Sequence, residues 1–303
     1  MRISETIEVR DFELTDIRID KYIADYCQII SRSQLKSRNA DLYINEVPVK
    51  HSRMVKNGDI IRIEYDSVPE SNLLPENIEL DIIYEDQNVV VINKRQGMVV
   101  HPAAGNPGGT LANALLFHFD DSSYDFDEDD QRPGIVHRLD KDTSGIIITA
   151  KNIRTHDFLS QQFRDKKVKK KYLAIVKGQL PEKKGIIETY LTRDRNNRKK
   201  FITSQFSGKY ALTHYNVLKE FPDASLVALE LHTGRTHQLR VHMQHSGCPI
   251  IGDPVYSRKI IKYSDLTMML HAYILEITLP EYGLKRFHAP LPERFKKFIR
   301  NFS

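Results

Sequence analysis

Cysteine is scarce in this 303-residue sequence: Cys27 and Cys248 are the only two, far apart and in no C-x-x-C arrangement. That argues against a disulfide framework and a cysteine metal site, and it fits a reducing compartment. Long apolar runs are missing as well, since no stretch approaches the roughly 20 residues needed to span a bilayer. The opening Met1-Arg2-Ile3-Ser4-Glu5 carries an acid early and has no apolar h-region. No signal peptide is therefore expected, and the expected location is the cytoplasm, with no membrane partner. The chain also lacks a G-x-x-x-x-G-K-[ST] loop to cradle phosphates and an H-E-x-x-H zinc motif.

What is there fits a soluble globular protein: 40% hydrophobic and 28% charged residues. The length suits one large domain of roughly 200 to 250 residues with a small accessory one. The net charge of +5 hides strong clustering. Between Asp120 and Asp130 stand seven acids and no Lys or Arg. Arg164 to Lys171 holds six basic residues against Asp165, and Arg193 to Lys200 holds five against Asp194. Like charges held together repel, so such runs often mark a surface that meets a polyanion, although one run alone is more readily a solvated loop. Within the first run, Lys166, Lys167 and Lys169 are the candidate phosphate contacts.

Residues 15–66 read as a compact unit, with an amphipathic helix around Ile17, Ile19, Tyr22 and Ile23, a short helix after Ser31, and strands over Asp41–Val49 and Asp59–Tyr65. The second helix starts at a capping-type serine and carries Arg32, Lys36 and Arg38, an arrangement suited to phosphate. This segment resembles the S4-type RNA-binding domain. It departs from that family at Asn39-Ala40-Asp41 and Asn45-Glu46, where a glycine and an Asn-Gly turn are usual. Glu accepts positive φ poorly, which predicts a wider or less stable hairpin here.

Domain boundaries are expected at 1–66, a linker at 67–77 with two prolines and two serines, and a larger domain over 78–303. The larger domain shows strands over Leu80–Tyr84, Val89–Asn93, Gly145–Ala150, Tyr172–Val176, Leu226–Leu231 and Leu270–Thr278. Helices are predicted over Thr110–Phe119, Asn152–Lys166, Thr236–Ser246 and Pro292–Phe302. Without regular strand–helix alternation, an α+β fold with a mainly antiparallel mixed sheet is expected.

The most informative stretch is His137-Arg138-Leu139-Asp140-Lys141-Asp142-Thr143-Ser144-Gly145, a polar cluster between apolar residues and the strand that follows. Loops held this way tend to carry catalytic groups. From the residues alone, a turn in which Asp140 and Asp142 cap backbone donors and Arg138 pairs with one of them is equally open. His237, His242 and His245 have a spacing that could suggest zinc, and Asp140 with Asp142 could suggest magnesium, but neither has the supporting motif.

The H-R-L-D-K-D-T-S-G run resembles the signature of the RluA-type pseudouridine synthases, which modify large-subunit ribosomal RNA. Three further stretches match in order: Val100-His101-Pro102 with Gly105-Asn106-Pro107, then Lys170 to Gly178, then Thr233 to His242. The resemblance implies an enzyme that breaks the bond from ribose to uracil N1, turns the base and rejoins it through C5, with no cofactor and no metal. It assigns Asp140 as the catalytic carboxylate, Arg240 as its cationic partner, and Tyr172 as the ring beside the extruded uracil. It places Arg138 near the position the flipped nucleotide vacates, and Arg235 on RNA. The partner it implies is ribosomal RNA or an assembling large subunit, met by a monomer. Two rivals remain: a non-catalytic RNA-binding or ribosome-assembly factor, and a metal-dependent phosphoryl-transfer enzyme built on Asp140 and Asp142.

Overall fold

The computed structural model describes residues 2–10, 17–27, 29–30, 32–66, 73–103, 105–119, 126, 134–194, 196–197, 199–257 and 261–302, leaving aside the side chains of Ser33, Lys36 and Ser37. The acidic stretch from Asp120 to Asp130 lies outside the described residues apart from Phe126. The chain forms two compact units, Met1–Asn72 and Leu73–Ser303. Of the segment read as a linker, 67–72 lie outside the described residues. Residues 73–77 belong to the larger unit, where Leu73 packs against an apolar cluster and Asn113 Nδ2 donates to the Leu74 carbonyl at 2.8 Å.

In the first unit, β1 (Arg2–Glu8) is followed by β2 (Ile17–Arg18), by α1 (Ile19–Lys21), which runs on as a π turn over Tyr22–Tyr26, and by α2 (Arg32–Ser37). Then come β3 (Asp41–Ile44), β4 (Val47–Val49), β5 (Met54–Val55) and β6 (Ile60–Asp66). The antiparallel sheet runs β1-β6-β3-β4, and β2 pairs with β5. β6 alternates strictly, so Ile61, Ile63 and Tyr65 turn inward onto Ile19, Ile23 and Leu35. The β3–β4 hairpin corrects the expectation of a wide turn: Ile44 pairs with Val47, leaving two loop residues, Asn45 and Glu46, at φ 50 and 63. Two interactions offset that strain. Asn45 Oδ1 accepts from Ile60 N at 2.9 Å, and Glu46 pairs with Arg62 at 2.8 Å, whose guanidinium lies 3.9 Å over the Tyr43 ring.

The larger unit is built on one ten-stranded sheet. Its elements are β7 (Ile82–Glu85), β8 (Val89–Lys94), α3 (Leu111–His118), β9 (Ser144–Ala150), α4 (Ile153–Arg164), β10 (Lys169–Lys177), β11 (Lys184–Arg193) and β12 (Phe201–Ser204). They continue with β13 (Lys209–Phe221), β14 (Ala224–Leu231), α5 (Gln238–His245), β15 (Leu270–Leu279), β16 (Gly283–His288) and α6 (Glu293–Phe302). The order is β12-β11-β13-β14-β10-β15-β9-β8-β7, with β16 also on β15. All pairings are antiparallel except β9 with β15, which is parallel and consists of His271 opposite Ser144 and Ala272 opposite Gly145.

That short joint divides the sheet into two halves. β9 is buried along its whole length because it is covered on both faces. Ile146 and Ile148 pack toward Leu159 of α4, and Ile147 toward Leu111 and Leu115 of α3. The other half packs β10, β13 and β14 against α5 and α6, with Phe295 and Phe298 at its centre. At the joint, Gly145 has φ 114, and a Cβ there would stand 2.1 Å from the Ala272 carbonyl oxygen. Only glycine allows the two strands to meet so closely.

Candidate active site

Asp140 lies on the loop that leads into β9 and is fixed mainly through its backbone. Its carbonyl accepts from Thr143 N at 3.1 Å, closing a turn. The next carbonyl, Lys141, accepts from Gly97 N at 2.8 Å and from Lys94 Nζ at 3.2 Å. Lys94, at the end of β8, is almost fully buried, and its ammonium also donates to the carbonyls of Arg95 and Met98. Burial pushes Lys94 down to about 8, against the pull of the Asp140 and Asp142 charges. Gln96 Nε2 completes the anchor by donating to the carbonyls of Asp142 and Met268, both at 2.9 Å. His137 ties the loop's other end to β9: its Nε2 accepts from Ile148 N at 2.9 Å, and its ring stacks on Phe163 at 4.6 Å. Burial, then the charge of Lys170, pushes His137 down to about 3, so the first residue of the motif is a neutral structural wedge.

The Asp140 carboxylate meets Arg240 from the second half of the sheet, with Nη1 3.1 Å from Oδ2. It does not cap a backbone donor, and Arg138 forms no ion pair among the described residues. Arg240, on α5, is nearly buried and is gripped from behind by Asp253, with Nε to Oδ2 at 2.7 Å and Nη2 to Oδ1 at 2.9 Å. Burial works against the guanidinium's charge, but the hydrogen bonds and charges of Asp253, then Asp140, outweigh it and hold the group firmly protonated. Asp253 is itself fixed by the backbone N–H groups of Val255 and Tyr256 at 2.8 and 3.0 Å.

His237 approaches the same carboxylate oxygen, with Nε2 3.8 Å from Oδ2. The Tyr256 hydroxyl accepts from Phe201 N at 2.8 Å and lies 2.9 Å from His237 Nδ1. With Nδ1 accepting from that hydroxyl, the neutral ring carries its proton on Nε2, facing Asp140. Burial lowers the His237 pKa, with Asp140 pulling the other way. His237 sits at φ 57, a left-handed conformation that favours glycine. Both neighbours use Oδ2, and among the described residues Oδ1 has no partner. Tyr172, on β10, is buried beside this group; burial, then the Asp140 charge, raises its hydroxyl pKa above the usual tyrosine range, keeping it protonated.

Asp140, Tyr172, His237 and Arg240 line a cleft of about 570 Å³, a size typical of ligand sites. Arg138, Arg164, Lys166, Lys170 and Arg235 line it too, and among the described residues none of the five has an acidic partner. Lys167, Lys169 and Lys171 belong to the same basic run but pair with Asp165, Glu276 and Glu230 at 3.2, 3.0 and 3.2 Å, away from the cleft. The strand period of two sorts them: β10 turns Lys169 and Lys171 outward, and Lys170 and Tyr172 inward. In the first unit, Arg32 pairs with Asp20 at 3.3 Å. Arg38 donates to the Asp66 carbonyl at 2.7 Å and lies over Tyr65. The Lys36 side chain is outside the described residues.

The three histidines considered for zinc take separate partners. His237 meets Tyr256, His242 lies between Thr189 and Thr213, and His245 meets Thr203. Among the described residues no three His, Cys, Asp or Glu side chains gather as a metal site would require. Reading the residues had missed Asp253, Tyr256 and Lys94. Gly252-Asp253-Pro254 looks like any turn, and a lysine closing an apolar strand looks like its exposed end.

Comparison with known proteins agrees with this geometry. Residues 88–245 match the family model described as RNA pseudouridylate synthase. A ribosomal large subunit pseudouridine synthase D of Borreliella burgdorferi is 45% identical, covering 97% of this chain and 92% of that protein. An uncharacterized RNA pseudouridine synthase of Bacillus subtilis is 41% identical over 94% of this chain and 93% of its own. Among solved structures, human RNA pseudouridylate synthase domain containing 1 superposes with a TM-score of 0.58 at 27% identity, covering 72% of this chain and 85% of the other. With the family model matched over more than half of its length and relatives at 41 to 45% identity over nearly the whole of it, the chain belongs to the RluA-type family of RNA pseudouridine synthases.

Proposed function

We propose that this enzyme isomerises uridine to pseudouridine in large-subunit ribosomal RNA, free or in an assembling subunit, with Asp140 as the catalytic carboxylate. The observation that carries the reading is the asymmetry of that carboxylate. Oδ2 is held by Arg240 and faced by His237, while Oδ1 is open. The reaction breaks the N1–C1′ bond, rotates uracil and forms C5–C1′; the proton lost from C5 is balanced by one gained at N1. Whether Oδ1 bonds to C1′ or takes the C2′ proton, it must be ionised and unblocked, and the charge of Arg240 favours ionisation. Tyr172 supplies a ring for the uracil and a hydroxyl that stays protonated, a donor and not a base.

A uridine in a duplex must be flipped out to reach Asp140, at a cost of a few kcal/mol. Arg138, exposed in the wall of the cleft and without an ion pair among the described residues, is suited to fill the gap by stacking. The names of the relatives support ribosomal RNA as substrate. The 1–66 segment acts as an S4-like RNA-binding domain through the α2 face, and the enzyme works as a cytoplasmic monomer without cofactor or metal. The test is Asp140→Asn, which nearly preserves volume and polarity. It should fold and bind RNA while losing at least about 100-fold in turnover. Turnover above about one per cent of wild type would remove Asp140 from the essential role.

A further inference from the structure

Lys170 is the one lysine of β10 whose ammonium the fold withdraws from water without giving it an acid. Its neighbours Lys169 and Lys171 have Glu276 and Glu230, but Lys170 has no carboxylate partner among the described residues. Its Nζ lies 5.6 Å over the ring of Phe163, whose other neighbour is the neutral His137. Withdrawal from water lowers its pKa, as expected for a cation without a counter-charge. Lys170 and, on the opposite wall, Gly234 both line the cleft. A Cβ at Gly234 would stand 3.8 Å from Nζ, an ordinary contact distance, so the Gly234 backbone borders the ammonium on the opposite wall. Such a charge costs stability unless something anionic arrives to meet it. The same face of the strand carries Tyr172 two residues on, about one nucleotide's reach away.

We propose that Lys170 and the part of the cleft it shares with Gly234 form a phosphate subsite, which takes a backbone phosphate next to the flipped uridine. The inference rests on the reading of the cleft as the uridine site. It separates Lys170, withdrawn from water inside the cleft, from Lys167, Lys169 and Lys171, which are already engaged with acids. It also gives Lys170 a signature that a structural lysine would not have: its removal should weaken RNA binding while strengthening the fold.

The test compares Lys170→Met with Lys177→Met, a charge control at the far end of the same strand, on a large-subunit RNA fragment. Lys170→Met should bind about ten-fold more weakly near physiological salt, as expected for losing one charge-assisted contact. Its log-affinity against log-salt slope should fall by about 0.7 to 0.9. Its unfolding temperature should be equal to or above that of wild type. A second measurement uses RNA carrying a single neutral methylphosphonate on either side of the modified uridine. At one linkage the wild type should lose about ten-fold and Lys170→Met nothing further. An unchanged salt slope, or losses that simply add at both linkages, would overturn the subsite. A wild-type enzyme that forms no pseudouridine in any ribosomal RNA would instead overturn the isomerase reading, and the salt slope would still decide the phosphate contact.

Discussion

Replacing Asp253 by Asn asks whether the arginine behind the catalytic carboxylate is held in place or merely happens to lie there. Asp253 is fully buried and makes two of the three carboxylate contacts of Arg240, at 2.7 and 2.9 Å. Asparagine keeps Oδ1 for the Val255 and Tyr256 N–H groups, but its amide nitrogen then faces Arg240 Nε, donor against donor. Breaking one side of a buried ion pair costs about 3 to 5 kcal/mol, and the retained acceptor places this change near about 3. In a domain of this size 1 kcal/mol moves the melting temperature by about 2 to 4 °C, so a fall of about 6 to 12 °C is expected by circular dichroism. Freed from behind, Arg240 should close on Asp140 and engage both oxygens, blocking the open one. Turnover, followed by tritium release from 5-tritiated uridine, should drop about 100-fold at a temperature where the variant is folded, with RNA affinity nearly unchanged. A melting temperature within about 2 °C of wild type together with turnover within about two-fold would refute the argument.

Tyr172→Phe keeps the ring and loses the hydroxyl, so RNA affinity should hold while single-turnover chemistry slows; equal rates would deny the hydroxyl a role. Lys94 has a pKa of about 8 when folded, below its value of roughly 10.4 when unfolded. Between those values the unfolded chain binds more protons, so this group's contribution to stability rises with pH while the loop it anchors loses a donor. The pH–rate profile should therefore fall through one ionisation near 8 without a matching loss of melting temperature, and a rate flat to pH about 10 would count against the anchor. Gly145→Ala would drive a methyl group into the Ala272 carbonyl, so it should destabilise by more than about 3 kcal/mol, and a melting temperature like wild type would show that the strand joint can give way.

Much of this was legible in the sequence. The apolar strands β8, β9 and β15 and the helices α3, α4 and α6 announce themselves by period and capping residues, and the H-R-L-D run marks the site. β13 did not, because its buried face is Ala211, Thr213 and Tyr215, too small and polar to show a period, and a bulge at Val217/Lys219 leaves Leu218 exposed. The outward and inward lysines of β10 could not be sorted either, since their acids, Glu230 and Glu276, lie on β14 and β15 and only the register brings them near. For the same reason Asp253 stayed hidden: an ion pair between distant segments leaves no local pattern.

The two-residue parallel joint between β9 and β15 has a consequence for how the enzyme comes into being. Asp140 hangs from one half of the sheet, while Arg240, Asp253 and Tyr172 belong to the other, and the Asp140–Arg240 contact spans a hundred positions of chain. The core under α3 gathers from closer segments, whereas the core under α4 needs Leu275, Ile277 and Leu279 of β15, and the joint must wait for strands that are 127 residues apart to find each other, as the bond from Ser144 to His271 records. Long-range closure of this kind is slow compared with local assembly. Catalytic competence is thus a late event in refolding, arriving after most secondary structure is in place. A chain arrested before that closure would keep its local secondary structure and be unable to turn over a single uridine.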